Sequence, residues 1–149
     1  MNKIDFVGLH AHSGVGSPFD GFGHPQEHMD YAFQNGSNAL ALTDHGNMNG
    51  LAYQVLHAKR MKNEHRADKD KAKKIDSGRS GTTVENEAES KSSTKSELNR
   101  KRHIVLLAMN QEGLNNIFKL VSESYHGDNF YRKPRIDFDL LQKHNEGII

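Results

Sequence analysis

Apolar and polar positions alternate at two different periods along this chain, and the change of period marks its elements. "IDFVGLH" is a compact apolar run that predicts a first strand. In "GHPQEHMDYAFQNG" the run breaks up; Pro25 suits a first helical turn and Gly36 supplies the stop. "NALALTDHG" then predicts a second strand with a polar tip. "MNGLAYQVLHAKRM" repeats Leu51, Val55 and Lys59, with Ala52 and Leu56 beside them, the spacing of a helix with one apolar face. Further on, "HIVLLAMN" reads as a buried strand. Leu114, Ile117, Phe118, Val121 and Tyr125 follow at helical spacing behind Asn110, a candidate cap. The last helix is expected to start after Asp137 and stop near Gly147, where "GII" opens a further strand. Strand and helix in alternation predict a parallel α/β architecture, and the final strand start predicts an incomplete one.

Between the two patterned zones, 1–61 and 103–149, lies a stretch without a period. Residues 62–102, "KNEHRADKDKAKKIDSGRSGTTVENEAESKSSTKSELNRKR", offer only Ile75, Val84 and Leu98 as large apolar side chains. Such a segment buries too little surface to offset its ordering entropy, so a disordered polar loop is expected, with a frayed helix at most around Ala67 to Lys74. A docking tail for a partner is the alternative.

Composition adds boundaries. Hydrophobic residues make up 34% and mean hydropathy is -0.81, which suits a thin core with part of the chain outside it. A formal charge of +1 gives no global basic field announcing nucleic acid. No apolar run approaches the roughly 20 residues of a membrane span, and "MNKIDFVGLH" lacks a signal peptide's apolar core, so a cytoplasmic protein without a membrane partner is expected. With no cysteine, any metal must be held by nitrogen and oxygen. An open sheet edge beside a thin core would invite a second copy, making a homo-oligomer a possible state.

The candidate chemistry sits at the polar tips. In a strand, His10 and His12 point to one face, close enough to share an ion, and the small-residue loop "SGVGSPF" can fold Asp20 back over them. Hard and borderline cations accept such a mixed shell. Asp44 and His45 in "TDHG" end the second predicted strand, where ligands of parallel α/β folds gather. Taken singly, each has a plainer role: a solvent-facing histidine pair, a helix cap at Asp44, a loop residue at His45. "FYRKPRID" groups Arg132, Lys133 and Arg135 with Phe130 and Tyr131, either a solvated turn backed by an aromatic or a grip on a phosphate backbone. His24, His28, His57, His65, His126 and His144 read as surface or cap residues, although the four-residue spacing of His24 and His28 also permits a metal.

"FVGLHAHS", "FDG", "ALALTDHGNMNG", "HIVLLAMNQEGLNNIFKLVSESY" and "KPRIDFDLLQKHNEGII" together resemble the PHP (polymerase and histidinol phosphatase) domain at the amino terminus of bacterial DNA polymerase III alpha subunits. The resemblance covers nearly everything outside the polar loop. It implies a distorted (β/α)7 barrel, here partial, with divalent zinc, manganese or magnesium ions and phosphoester chemistry. DNA would be the substrate, and the rest of a polymerase and other replisome subunits the partners. By position, His10, His12, Asp20, His45 and His103 match the family's metal ligands; Asp44 and His45 are the candidates for catalytic work, Asp44 from behind the ligands. Such sites are associated with removal of a 3′ nucleotide or hydrolysis of pyrophosphate; degenerate ones only scaffold the polymerase.

Two departures qualify the expected activity. The family's next strand, with its acidic ligand, has no counterpart after "HAKRMKN", and Glu64 or Glu85 in a disordered setting would replace it poorly. The family's later ligands fall beyond Ile149. A weak or inactive chain is therefore expected in isolation. A free-standing phosphoesterase and a non-catalytic remnant are the alternatives.

Overall fold

The computed structural model describes residues 6–37, 39–67, 81–86 and 102–149, which form two compact units. The first takes the described residues through Asp44 together with those from Met48 to Ala67. The second joins His45–Asn47 to 81–86 and 102–149.

The first unit has the predicted strand–helix–strand order. The extended chain at Gly8 bridges Leu40 in parallel, and the N–H groups of Ala41 and Thr43 donate to the carbonyls of Gly8 and Ala11 at 2.8 and 2.7 Å. Between them runs α1 (Pro25–Gln34), with Pro25 at its start; the backbone N–H of His24 donates to Glu27 Oε2 at 2.6 Å, and Gly36 turns the chain with φ +79°. The second strand narrows to β1 (Thr43–His45), and α2 (Leu51–Ala67) follows.

Met29, Ala58 and Met61 form the core between the helices, with Phe33 and Leu40 packed against it. This corrects the expected face of α2. Gln54, His57, Ala58 and Met61 are buried, whereas Ala52 and Leu56 are exposed. The apolar pattern misled because the buried stripe carries two polar side chains, each tied to a group from another element, while Gln54 Oε1 is buried without a hydrogen-bond partner. His57 Nε2 lies 2.7 Å from Asp30 Oδ1 on α1, and Gln54 Nε2 donates to the Leu40 carbonyl at 3.2 Å. His57 is therefore no surface residue.

The second unit is a mixed sheet with a helix on it. β2 (Gly81–Asn86) pairs antiparallel with β3 (Arg102–Leu107) and parallel with β5 (Lys133–Ile136); β4 (Phe130–Tyr131) forms an antiparallel hairpin with β5. The expected purely parallel pairing does not hold here. β3 runs antiparallel to β2, whereas the parallel pair β2–β5 is joined through β3 and α3 (Gln111–Ser124), a connection long enough for a crossover. Two pieces of the segment expected to remain disordered take regular form: α2 runs on to Ala67, and 81–86 make β2. "TTV" in β2 has the β-branched residues that suit a strand, and β3 and β5 satisfy its backbone from both sides. Residues 68–80 and 87–101, which carry the rest of that expectation, and His65's side chain lie outside the described residues.

The predicted Asn110 cap forms, and Asp137, expected only to precede the last helix, caps it as well. Asn110 Oδ1 accepts the Gly113 N–H at 2.9 Å, and Asp137 Oδ1 accepts the Leu140 N–H at 2.8 Å at the start of α4 (Phe138–Lys143). α3 turns Ile117 and Leu120, both fully buried, toward the sheet with Leu106, Leu107 and Ile136. Phe118 and Tyr125, expected on that face, are about half exposed. At the expected closing strand only a bridge forms: Ile148 bridges Ala108 antiparallel, and Leu107 and Ile149 exchange backbone hydrogen bonds of 2.7 and 2.9 Å. Among the described residues no helix is long and apolar enough to cross a membrane.

Candidate metal centre

The loop after the first extended segment is drawn tight by its own backbone. Ser17 N–H donates to the Ser13 carbonyl at 2.8 Å, and Gly14 N–H donates to that of Gly23 at 2.8 Å. The N–H groups of Asp20 and Gly21 both reach the Ser17 carbonyl. This winding returns Asp20 to the histidines. Asp20 Oδ2 lies 3.3 Å from His12 Nδ1, and His12 Nε2 lies 2.9 Å from His10 Nε2, with the rings 4.9 Å apart and inclined at 53°.

Two imidazole Nε2 atoms at this separation have one use for a proton between them and two lone pairs to offer. Bonds of about 2.0–2.1 Å from one ion to two nitrogens place those nitrogens roughly 3 Å apart, so the His10–His12 spacing fits a shared divalent cation. Asp20 Oδ2, on the Nδ1 side of His12, adds a carboxylate oxygen to the donor set. The His/Asp group thus has the donor chemistry of a divalent-metal site.

Asp44, expected to act from behind the ligands, is enclosed by neighbouring donors. It is 2% exposed, and its carboxylate accepts from Ser13 N–H at 2.7 Å, from Ser13 Oγ at 3.0 and 3.2 Å, and from Ser17 Oγ at 3.1 Å. Neither serine was a candidate from sequence. Their signal is faint: a serine directly after His-x-His and another within the same small-residue loop.

In the second unit His45 and His103 meet, ring centroids 5.2 Å apart at 46°. His103 is the second residue of β3, and the register sets Glu85 of β2 opposite it. The remaining candidates resolve into structural roles. His24 packs edge-on against Tyr53, and His28 Nε2 donates to the Phe22 carbonyl, so this pair is engaged in capping and loop contacts. Arg135, buried, donates to the carbonyls of Asn129 and Asp128 at 3.1 and 2.8 Å. Arg132 and Lys133 are exposed beside it, Arg132 in a left-handed conformation with φ 62°, and Phe130 stacks on Tyr125. These contacts favour the turn over a three-cation phosphate grip.

A chain with strand tips bearing His-x-His, a folded-back aspartate and a Thr-Asp-His falls in a recognisable class: the PHP domain family matches residues 8–149, and the chain belongs to it. Within that class its whole length aligns with DNA polymerase III subunit alpha of Treponema pallidum (strain Nichols), 34% identical over 151 residues, and of Aquifex aeolicus (strain VF5), 34% over 155. In both cases the chain spans 12% of the relative's length. A shorter stretch is 56% identical over 50 residues to the PolC-type DNA polymerase III of Halalkalibacterium halodurans, covering 34% of this chain and 3% of that protein. A solved amidohydrolase from Chromobacterium violaceum superposes with a TM-score of 0.43 at 22% identity, over 76% of this chain and 32% of that one.

Proposed function

We propose that the chain is the amino-terminal PHP portion of a replicative DNA polymerase and contributes a divalent-metal phosphoesterase site of the 3′–5′ exonuclease type. One observation carries the reading. The stretch from His10 to Asp20, inside the family match, folds two imidazoles and a carboxylate within hydrogen-bonding reach of one another. The proposed ligands are His10, His12 and Asp20 in the first unit and, by the family resemblance, His45 and His103 in the second.

Zinc, manganese or magnesium at this site would polarise a phosphodiester and lower the pKa of a water molecule. The chain's own residues would do the rest: the histidines would hold the ions, and His45 would be the residue to accept the water's proton. DNA is the substrate, the remainder of the polymerase and its replisome subunits are the partners, and the bacterial cytoplasm is the compartment. The fold in this reading is a partial distorted (β/α)7 barrel.

Elemental mass spectrometry of the purified chain tests it. Stoichiometric zinc or manganese, lost when His10→Ala and His12→Ala are combined, is the expected result. Metal content unchanged in that variant would overturn the assignment.

A further inference from the structure

The carboxylate of Asp44 is walled in on the sides that its serines leave. A Cβ added at Gly16 would fall within 2.2 Å of Asp44 Oδ2, and one at Gly50 within 2.9 Å. Ser13 is fully buried and Ser17 3% exposed. An ionisable group so enclosed is costly to keep unless donors meet it, and here a backbone N–H and two hydroxyls do. The cage has a further layer, because Ser13 Oγ accepts the Gly16 N–H at 3.2 Å while it donates to Asp44.

We infer that Asp44 is a positioning residue: with Ser13 and Ser17 it forms a buried latch that holds His12 and Asp20 in ligating geometry, and it takes no metal itself. This rests on the metal-site reading above. The path of force is short and continuous. Ser13 directly follows His12, so the two hydrogen bonds that pin its backbone and hydroxyl to Asp44 fix the strand end on which the His12 ring turns. Ser17 is tied to the same carboxylate, and its carbonyl holds the N–H groups of Asp20 and Gly21 at 3.2 and 2.6 Å. One carboxylate therefore anchors both ends of the loop whose side chains meet as the 3.3 Å His12–Asp20 contact.

A carboxylate is required in this position because it only accepts. Asparagine would turn an NH2 group toward donors that already point inward. Alanine would leave the Ser13 N–H and both hydroxyls buried with no acceptor in that place. Ligation by Asp44 would need an ion between its oxygens and their donors, in space that the Gly16 and Gly50 backbones close off.

The experiment measures zinc and manganese affinity and stoichiometry of the full chain by competition with a chromophoric chelator, at a temperature where circular dichroism shows every variant folded. Ser17→Ala and Ser13→Ala should each weaken affinity, and Asp44→Asn should weaken it about 10- to 100-fold, the usual effect of losing a group that orients ligands. The stoichiometry should not change. Ser17→Ala combined with Asp44→Asn should be no weaker than Asp44→Asn alone, since both open the same latch. Should Asp44→Asn fail to fold, Ser17→Ala still decides, as it removes one hydroxyl and leaves the carboxylate. A merely structural role would lower the melting temperature of the serine variants with wild-type affinity, and that result overturns the latch while the metal site stands. Loss of a bound equivalent in Asp44→Asn with unaltered Ser17→Ala would make Asp44 a ligand and overturn it too. A wild-type chain that binds neither ion would overturn the metal-site reading itself.

Discussion

Gly113 lies in the first turn of α3, where alanine would ordinarily help: replacing glycine in a helix gains about 1 kcal/mol. In this protein Gly113→Ala should do the opposite. The new Cβ would lie 1.8 Å from the carbonyl oxygen of Gly147 and 2.5 Å from its carbon, both backbone atoms, against the 3.4 Å at which ordinary contact begins. The turn at Gly147 would have to retreat by roughly 1.6 Å, the difference of those two distances. That same turn accepts the Met109 N–H at 2.8 Å and, through Glu146, the Asn116 amide at 2.9 Å, and it leads into the Leu107–Ile149 pairing. Losing one or two of these bonds costs about 0.5–1.5 kcal/mol each, and residual overpacking adds about 1–3. Set against the helical gain, the net is a destabilisation of about 2 kcal/mol, or a melting temperature lower by about 4–8 °C for a chain of this size. Urea unfolding followed by circular dichroism measures it, with Glu112→Ala, one residue away and exposed, as the control expected within about 0.5 kcal/mol of wild type. A Gly113→Ala chain as stable as wild type, or more so, would show that α3 does not press on the Gly147 turn.

Leu120→Ala, at a fully buried position, should cost about 2–5 kcal/mol, whereas Phe118→Ala on the half-exposed side should cost less than half as much; equal losses would mean the helix is rotated. His144 should titrate below 6.5, chiefly because of partial burial and then the nearby charges of Lys143 and Lys119. The folded chain then binds fewer protons than the unfolded one, so His144 has no effect on stability well above pH 6.5 and erodes it as pH falls through 6.5 toward the folded value. Lys143→Gln should move the titration upward in a histidine NMR experiment; no movement would exclude the lysine as a cause. Chelator should lower the melting temperature of the metal-loaded chain, since an ion held at 100 times its dissociation constant adds about 2.7 kcal/mol. An unchanged melt would mean that the ion does not favour the folded state.

What could be read directly from the sequence was local. Asn110 and Asp137 cap the helices they precede, and Pro25 and Gly36 bound α1, because each acts within a few residues of itself. The parallel approach of the chain at Gly8 to Leu40 was legible for the same reason, through two apolar runs either side of one helix. The buried face of α2 was not legible. Gln54 and His57 go inside only because Leu40 and Asp30 receive them, and those partners come from other elements. β2 was hidden likewise, since its support comes from strands on both sides rather than from an apolar core of its own sequence. In the candidate site the ligand types stood out, but the serines and glycines around Asp44 did not. Small residues near a histidine look like loop filler until the carboxylate that they enclose is in place.

The crowding at Asp44 also restricts the order in which this sequence can change. A side chain at position 16 would meet not only the Asp44 oxygen but also its Cγ at 2.3 Å and its Cβ at 2.6 Å. Shortening Asp44 to alanine would therefore not make room. Only a chain that has already lost the Cβ at 44, or shifted that backbone, can accept anything larger than glycine at 16, and such a chain has already given up the carboxylate. Position 16 should thus change only in chains where position 44 has changed first, a one-way epistatic pair 28 residues apart whose double variants, not singles, reveal the shared volume.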